Sequence, residues 1–221
     1  MLDCNFFANF AIWMANIIFF ISYLPQVFLN YKLKSTKGLS DLFILIGMHG
    51  QLACLAYAFS ANLPMVYKVM MPLMTFSYML LVLQRFLYSS YRTDKRILLI
   101  YLFNILIAFS IVIIAVLVYN PLGIFLGWIS IFTGLWKKIP QMIKIFFAKS
   151  VEGFSLGYIA ISISGYFFEM VAAFALGLPA QILFNDLRGL SIYMIFLLQF
   201  IFYNKEFLRL IKRKVLYVRS Q

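Results

Sequence analysis

Two adjacent lysines and one glutamate lie inside long apolar segments of this sequence, where a charged side chain is costly. Lys137 and Lys138 stand shortly before Pro140 and Gln141, and Glu169 lies in the next apolar segment. Ionisable residues at such depths are candidates for binding polar solutes or protons. A fixed cation at Lys137 suits a carboxylate, and Glu169 suits a proton or a substrate amine.

Each of these residues also has a structural interpretation. Lys137 can be neutral or paired, Lys138 can extend its ammonium group to the cytoplasmic surface, and Glu169 can form an ion pair with either lysine. At about 1.5 Å per residue, the depths of Lys137 and Glu169 differ by roughly 10 Å, which suits a zwitterion bound between them. The sequence leaves both interpretations open.

Several further polar residues are candidates for the same site. His49 is the only histidine, and it is either a proton carrier or a structural hydrogen-bond donor. Asp186 and Arg188 lie near the outer end of the last apolar segment, within reach of water, where Asp186 is a candidate proton entry. Gln26 and Gln141 either bridge backbone carbonyls freed by the prolines or touch the solute, and Ser162 is a candidate for solute binding. The remaining candidates either line a solute pathway or pack the bundle, and they are Tyr78, Gln84, Tyr193 and Gln199.

Membrane-spanning helices must position these residues. The chain has 221 residues, of which 64% are hydrophobic and 12% charged, and its mean hydropathy is +0.94. A soluble domain carries about a quarter charged residues, and apolar runs of about 18 residues or more indicate membrane spans. We predict an all-α membrane protein with seven spans, at about 6–29, 39–61, 65–88, 97–119, 122–147, 156–178 and 181–203.

The basic residues predict the orientation of the spans. The net charge of +12 does not indicate nucleic-acid binding, because fourteen of the basic residues fall in alternate loops and in the tail, against two on the other side. Loops rich in lysine and arginine remain cytoplasmic. The N-terminus is therefore predicted outside or in a lumen, and the basic tail 205–221 inside, against anionic membrane lipid.

An internal repeat with an offset of 115 residues covers most of the chain. Pro25-Gln26 aligns with Pro140-Gln141 in one ungapped register that also matches Trp13 to Trp128, Gly50 to Gly165 and Tyr78 to Tyr193. Proline kinks a helix, so Pro25 and Pro140, with Gln26 and Gln141, are predicted hinges. One extra span between two three-helix units makes the units parallel, which predicts a 3+1+3 arrangement with the site at their interface.

The predicted division of the chain follows from this repeat. Residues 1–90 form the first three-helix unit, 91–120 the linker helix, 121–204 the second unit and 205–221 the basic tail. Cys4 and Cys54 imply no disulfide framework, and the first span has no basic segment before it, which favours a retained helix over a cleaved signal. No metal-ligand spacing, phosphate loop or nucleophile–base pair is present, so we predict neither an enzyme nor a bound cofactor.

The repeated segments PQVFLNYKLKSTKGLS and PQMIKIFFAKSVEGFS resemble the PQ-loop family. The doubled motif and the seven-span topology are similar to that family and to the related SWEET sugar transporters. This resemblance implies transport of a small solute by alternating access. Other members include cystinosin-like proteins and lysosomal exporters of cationic amino acids.

The second half is most similar to cystinosin, and Lys137 matches a lysine position of cystinosin-like sequences. Ser162 and Tyr193 stand where that family carries aspartates on its sixth and seventh helices. The resemblance therefore does not extend to the acidic residues that couple protons in that family.

The predicted function is transport of a small polar solute, with an amino acid favoured and proton coupling left open. The alternatives are a SWEET-type sugar facilitator, which needs no buried charge, and a membrane receptor or sensor that does not transport. A bacterial cell membrane is the favoured location, and a lysosomal or vacuolar membrane is the alternative. The identity of the solute and the oligomeric state do not follow from the sequence.

Overall fold

The computed structural model describes residues 4–36, 41–88, 95–151 and 156–204, and all regular structure in these ranges is helical. Lys37, Arg92 and the tail 205–221 lie outside the described residues, as do the side chains of Lys95, Arg96, Gln141 and Lys144. The eight helices in these ranges are α1 Cys4–Leu33, α2 Asp41–Ser60, α3 Met65–Leu87, α4 Lys95–Leu117, α5 Asn120–Trp136, α6 Ile139–Ala148, α7 Leu156–Ala175 and α8 Ala180–Tyr203.

Most of these helices have the length and composition of membrane spans. Five qualify by both measures, namely α1, α3, α4, α7 and α8, whereas α2 and α5 each contribute a shorter apolar helix. Their outer surfaces carry large apolar side chains, and on α4 the side chains of Leu99, Phe103 and Leu106 are 64–65% exposed. An apolar surface of this kind requires lipid around it. The chain is a multi-pass membrane protein.

The helices repeat with the offset found in the sequence. Helices α2 and α7 begin and end 115 residues apart, as their bounds show. Both are followed by a residue in the left-handed region, Asn62 with φ 49° and Gly177 with φ 60°. The next N–H then bonds to the carbonyl five residues back, at 3.1 Å after α2 and 2.9 Å after α7. This is the Schellman helix end, and it fixes the same turn in both halves.

The two halves meet at two equivalent interfaces. Within the halves α3 packs on α1 and α2, and α8 packs on α5, α6 and α7; between them α1 packs on α7 and α2 on α5. A Cβ atom at Gly50 would lie 2.4 Å from Thr133 Oγ1, and one at Gly165 would lie 2.9 Å from Phe19 Cε1. Both glycines therefore permit a close approach of helices from the two halves.

An apolar core crosses the junction of the halves. Buried side chains of α1, α2, α3, α7 and α8 form one cluster that includes Ile12, Tyr57, Met70 and Ala172. Two further clusters lie within the halves, one of them shared with α4.

Candidate functional site

The helix of the predicted fifth span is interrupted at the two lysines. Helix α5 ends at Trp136 and α6 begins at Ile139, so Lys137 and Lys138 lie in a turn between two helices. Pro140 has no N–H to donate to the carbonyl of Trp136, and its ring crowds that carbonyl. The predicted kink in this span is therefore a turn that interrupts the helix at the two lysines, whose backbones keep right-handed helical angles of φ −67°, ψ −22° and φ −99°, ψ −24°.

Both lysines contact tyrosines of the third helix in each half. The Lys138 ammonium donates a hydrogen bond to the Tyr193 hydroxyl and lies 3.7 Å from the centroid of that ring. The Lys137 ammonium lies 5.3 Å from the centroid of Tyr78. Such cation–π contacts stabilise a cation away from water. Lys138 therefore points into the protein, which differs from the extension to the cytoplasmic surface considered above.

Glu169 and Asp186 form a buried pair of carboxyl groups. Glu169 is 4% exposed, and its Oε1 accepts a hydrogen bond of 2.7 Å from the hydroxyl of Tyr67 on α3. Asp186 lies beside it on α8, and both of its carboxyl oxygens lack a hydrogen bond of good geometry. Two adjacent carboxyl groups shielded from water share a proton more readily than they carry two charges.

The position of Asp186 corrects an expectation. The sequence placed Asp186 and Arg188 within reach of water, but the Asp186 side chain is 0% exposed. The reason is that α8 packs against α7 and α5 along this segment, which covers it. Glu169 is accordingly not the only acid deep in the bundle.

Arg188 ties α8 to α5 through the space left by a glycine. Its Nη1 donates to the carbonyl of Ile131 at 3.1 Å, and its Nη2 donates to Asn185 Oδ1 at 2.7 Å. A Cβ atom at Gly134 would lie 1.5 Å from Nη1, so only glycine leaves room for the guanidinium group. Arg188 is also close enough to act electrostatically on both carboxyl groups.

A small cavity adjoins Glu169 between the two halves. It encloses about 70 Å³, which is the space of a few water molecules. The Tyr57 hydroxyl donates to Gln181 Oε1 at 3.2 Å beside it, and this bond joins α2 to α8. The other polar residues that line the cavity are Cys54, Tyr67, Ser130, Glu169 and Asn185.

The predicted glutamines of the third helices contact backbone near the Pro-Gln pairs. Gln84 Nε2 donates to the carbonyl of Val27, and Gln199 Nε2 donates to that of Met142, each at 2.9 Å. Gln26 Nε2 donates to Asn30 Oδ1 at 2.8 Å. These side chains are thus near the predicted hinges, away from the carboxyl pair.

Two other predicted site residues have local partners. His49 Nδ1 lies 2.8 Å from the carbonyl of Leu45 on its own helix, and since a carbonyl only accepts, Nδ1 is the donor of this hydrogen bond. Ser162 is 4% exposed and lies beside the hydroxyls of Tyr158 and Tyr193, which are 2.8 Å apart. Ser162 therefore belongs to the lysine–tyrosine group and His49 to neither charged group.

Sequence reasoning missed Tyr67, Tyr57, Gln181 and Asn185. A signal for them exists in the repeat, because the residue 115 positions away differs sharply in polarity. Tyr67 aligns with Ile182, and Asn185 aligns with Met70. Positions that are polar in one half and apolar in the other are therefore candidates for functions that the two halves do not share.

Three comparisons with known proteins bear on this site. The model of the PQ loop repeat matches residues 7–67 and 122–182, two segments with the same offset of 115. An uncharacterised protein of Schizosaccharomyces pombe is 27% identical over 172 residues, which are 74% of this chain and 60% of that protein. The chain thus spans about three fifths of the length of that relative.

The fold is that of a solved transporter. The 3.7 Å structure of a eukaryotic SWEET transporter matches this chain with a TM-score of 0.74. The match covers 91% of this chain and 98% of that one at 16% identity, so it shows the fold alone. Since the repeat model covers more than half of the sequence in two copies, the chain belongs to the PQ-loop repeat family.

Proposed function

We propose that this protein transports a small zwitterionic solute, with an amino acid as the favoured class, across the membrane by alternating access. In this proposal α1–α3 form one three-helix unit, and α5–α8 form a second, parallel unit in which α5 and α6 together make one span. Helix α4 is the linker, the N-terminus lies outside and the tail lies inside. Family membership and the likeness to a SWEET transporter support transport, and the buried charges support the class of solute.

The observation that carries the proposal is the presence of buried ionisable groups of both signs. Lys137 and Lys138 lie against tyrosine rings at the turn between α5 and α6, and Glu169 and Asp186 form a carboxyl pair near Arg188. A facilitator that binds only neutral sugars does not need buried ionisable side chains, which are costly in a membrane. An amino acid offers a carboxylate to the lysines and an ammonium group to the acids.

The hydrogen bonds between the halves support alternating access. Tyr57–Gln181 and Tyr67–Glu169 each join one half to the other, near the ends at which α3 and α8 begin. Near the Pro-Gln pairs, the bonds made by Gln84 and Gln199 each stay within one half. Breaking the first two bonds would open the cavity beside Glu169 to one side of the membrane.

Proton coupling is the second part of the proposal. Glu169 and Asp186 can hold a shared proton, and a cation bound there would displace it. Opening the Tyr67–Glu169 contact would expose that proton to water. His49 is left as a structural residue, since its ring is bonded to its own helix.

A sugar facilitator is the second candidate function. It is favoured by the likeness in fold to a SWEET transporter and by the tyrosine rings around the lysines, where Tyr166 and Tyr193 lie 5.8 Å apart. Aromatic faces are common partners of the apolar faces of sugars. This candidate predicts flux of a neutral solute that is indifferent to Lys137.

Flux into proteoliposomes tests the proposal. Purified protein is reconstituted with radiolabelled amino acids, monosaccharides and disaccharides, each at two pH values, and then with Lys137→Ala and Glu169→Gln. We expect amino-acid flux that falls by about tenfold or more in each variant, which corresponds to about 1.4 kcal/mol. Sugar flux unaffected by both variants would support the second candidate, and binding without flux would indicate a receptor.

A further inference from the structure

The amide groups of Gln84 and Gln199 make the same bond in the two halves. Each donates from Nε2 to the backbone carbonyl two residues after a proline, Val27 in α1 and Met142 in α6, at 2.9 Å in both cases. Both glutamines are nearly buried, at 8% and 9% exposure. The third helix of each half thus holds the chain just beyond its Pro-Gln pair.

The acceptor side of the two amides differs. Gln84 Oε1 accepts a hydrogen bond of 3.1 Å from Asn30 Nδ2, whereas Gln199 Oε1 is buried and has no partner among the described residues. Among the described side chains one difference accounts for this, since Ile145 occupies the position that aligns with Asn30. Ile145 is itself 3% exposed and has no donor to offer.

The helices that carry the two Pro-Gln pairs also differ in continuity. Helix α1 runs unbroken from Cys4 to Leu33 through Pro25, and Gln26 also bonds to Asn30. In the other half α5 and α6 are separate helices on either side of Lys137 and Lys138. A side-chain hydrogen bond that stands alone among the described residues, beside a turn between two helices, opens more easily than one that belongs to a connected network on a continuous helix.

We propose that Gln199 is a positioning residue whose single bond to α6 is released during transport, while Gln84 and Asn30 fix the equivalent segment of α1. The moving element is then α6, and its motion changes the position of the two lysines at its start. The inference rests on the proposed function, because the motion of α6 is assigned to transport. Its test measures local opening of the helix and does not require flux. It makes the two Pro-Gln pairs unequal, with Pro140 the working hinge and Pro25 a static one.

Amide hydrogen exchange in lipid nanodiscs directly tests whether α6 opens more easily than the equivalent segment of α1. In the wild-type protein we expect residues 139–148 to exchange about tenfold faster than 26–33, since local opening sets the rate. Ile145→Asn supplies the missing donor and should slow exchange in α6, whereas the same change in a Gln199→Leu background should not. Asn30→Ile should speed exchange in 26–33, and Ile145→Leu serves as the size control.

Two outcomes would overturn the inference. Equal exchange of the two segments in the wild-type protein would do so without any variant, which decides the matter if Ile145→Asn does not fold. Equal slowing by Ile145→Asn with and without Gln199 would show that the effect does not pass through that amide. Absence of flux for every solute would defeat the proposed function but would leave the exchange result standing.

Discussion

The two halves of this protein share a backbone and differ in charge at equivalent positions. Helices α2 and α7 coincide in length and in the geometry of their ends. The second half nevertheless carries a charged residue at six aligned positions where the first half is neutral. The pairs are Ser22 and Lys137, Tyr23 and Lys138, Leu29 and Lys144, Cys54 and Glu169, Met71 and Asp186, and Leu73 and Arg188.

The backbone is common to the two halves, whereas these charged residues belong to the second half alone. In the proposed arrangement two three-helix units create one junction, and a single set of charges at that junction is enough to hold one solute. A second set would add the cost of burying more charge in a membrane without adding a second site. We therefore expect the charges of the second half to serve function, and the neutral residues of the first half to serve packing.

The largest expected effect comes from copying Phe19 into the second half as Gly134→Phe. The new side chain would overlap the Arg188 guanidinium, whose Nη1 lies 1.5 Å from an ideal Cβ there. Overpacking together with a displaced buried charge should cost about 3 kcal/mol, measured by thermal unfolding in detergent. Adding Arg188→Leu, which copies Leu73, should recover a large part of that loss. A double variant as unstable as the single one would contradict this account of Arg188.

A smaller loss is expected from Tyr67→Phe. It removes the hydroxyl that donates to Glu169, and hydrogen bonds to charged groups contribute about 1.5–3 kcal/mol, against about 1 kcal/mol for neutral ones. Tyr57→Phe removes the neutral bond to Gln181 and is the matched control. Denaturant unfolding should rank Tyr67→Phe as the more damaging change, and the reverse order would argue against a charged Glu169 in that bond.

The smallest effect on stability is expected from Lys138→Tyr, which copies Tyr23. Tyr23 already packs edge-on against Tyr78, with ring centroids 5.8 Å apart, so a tyrosine at 138 can make the equivalent contact with Tyr193. The melting temperature should change little, as for a substitution within about 0.5 kcal/mol, while solute flux falls. A large drop in melting temperature would show that Lys138 is a structural residue.

The sequence predicted the parts of the fold that depend on local chemistry. The offset of 115 residues anticipated the matching bounds of α2 and α7, and the lack of an N–H at Pro140 anticipated the break at Lys137 and Lys138. At the equivalent Pro25 the helix α1 is not interrupted. Proline weakens a helix, and the neighbours decide whether it breaks.

The residues that form the site are brought together by contacts between positions that are far apart in the sequence. Tyr67 and Glu169 are 102 residues apart, and nothing local to either indicates the other. Asp186 was predicted to reach water because it lies near the start of its helix. That prediction did not include the neighbouring helices that bury its side chain. Comparing the two halves for polarity, and not only for identity, would have marked Asp186, Arg188 and Tyr67 beforehand.

Paired flux measurements test the central claim most directly. Lys137→Ser and Glu169→Cys give the second half the residues of the first, and Ser22→Ala with Cys54→Ala are the matched changes in the first half. We predict that the second-half variant loses amino-acid flux by about tenfold or more, while the first-half variant keeps it within about twofold. Equal losses from both variants, or full flux through the second-half variant, would contradict the claim that its charges bind the solute.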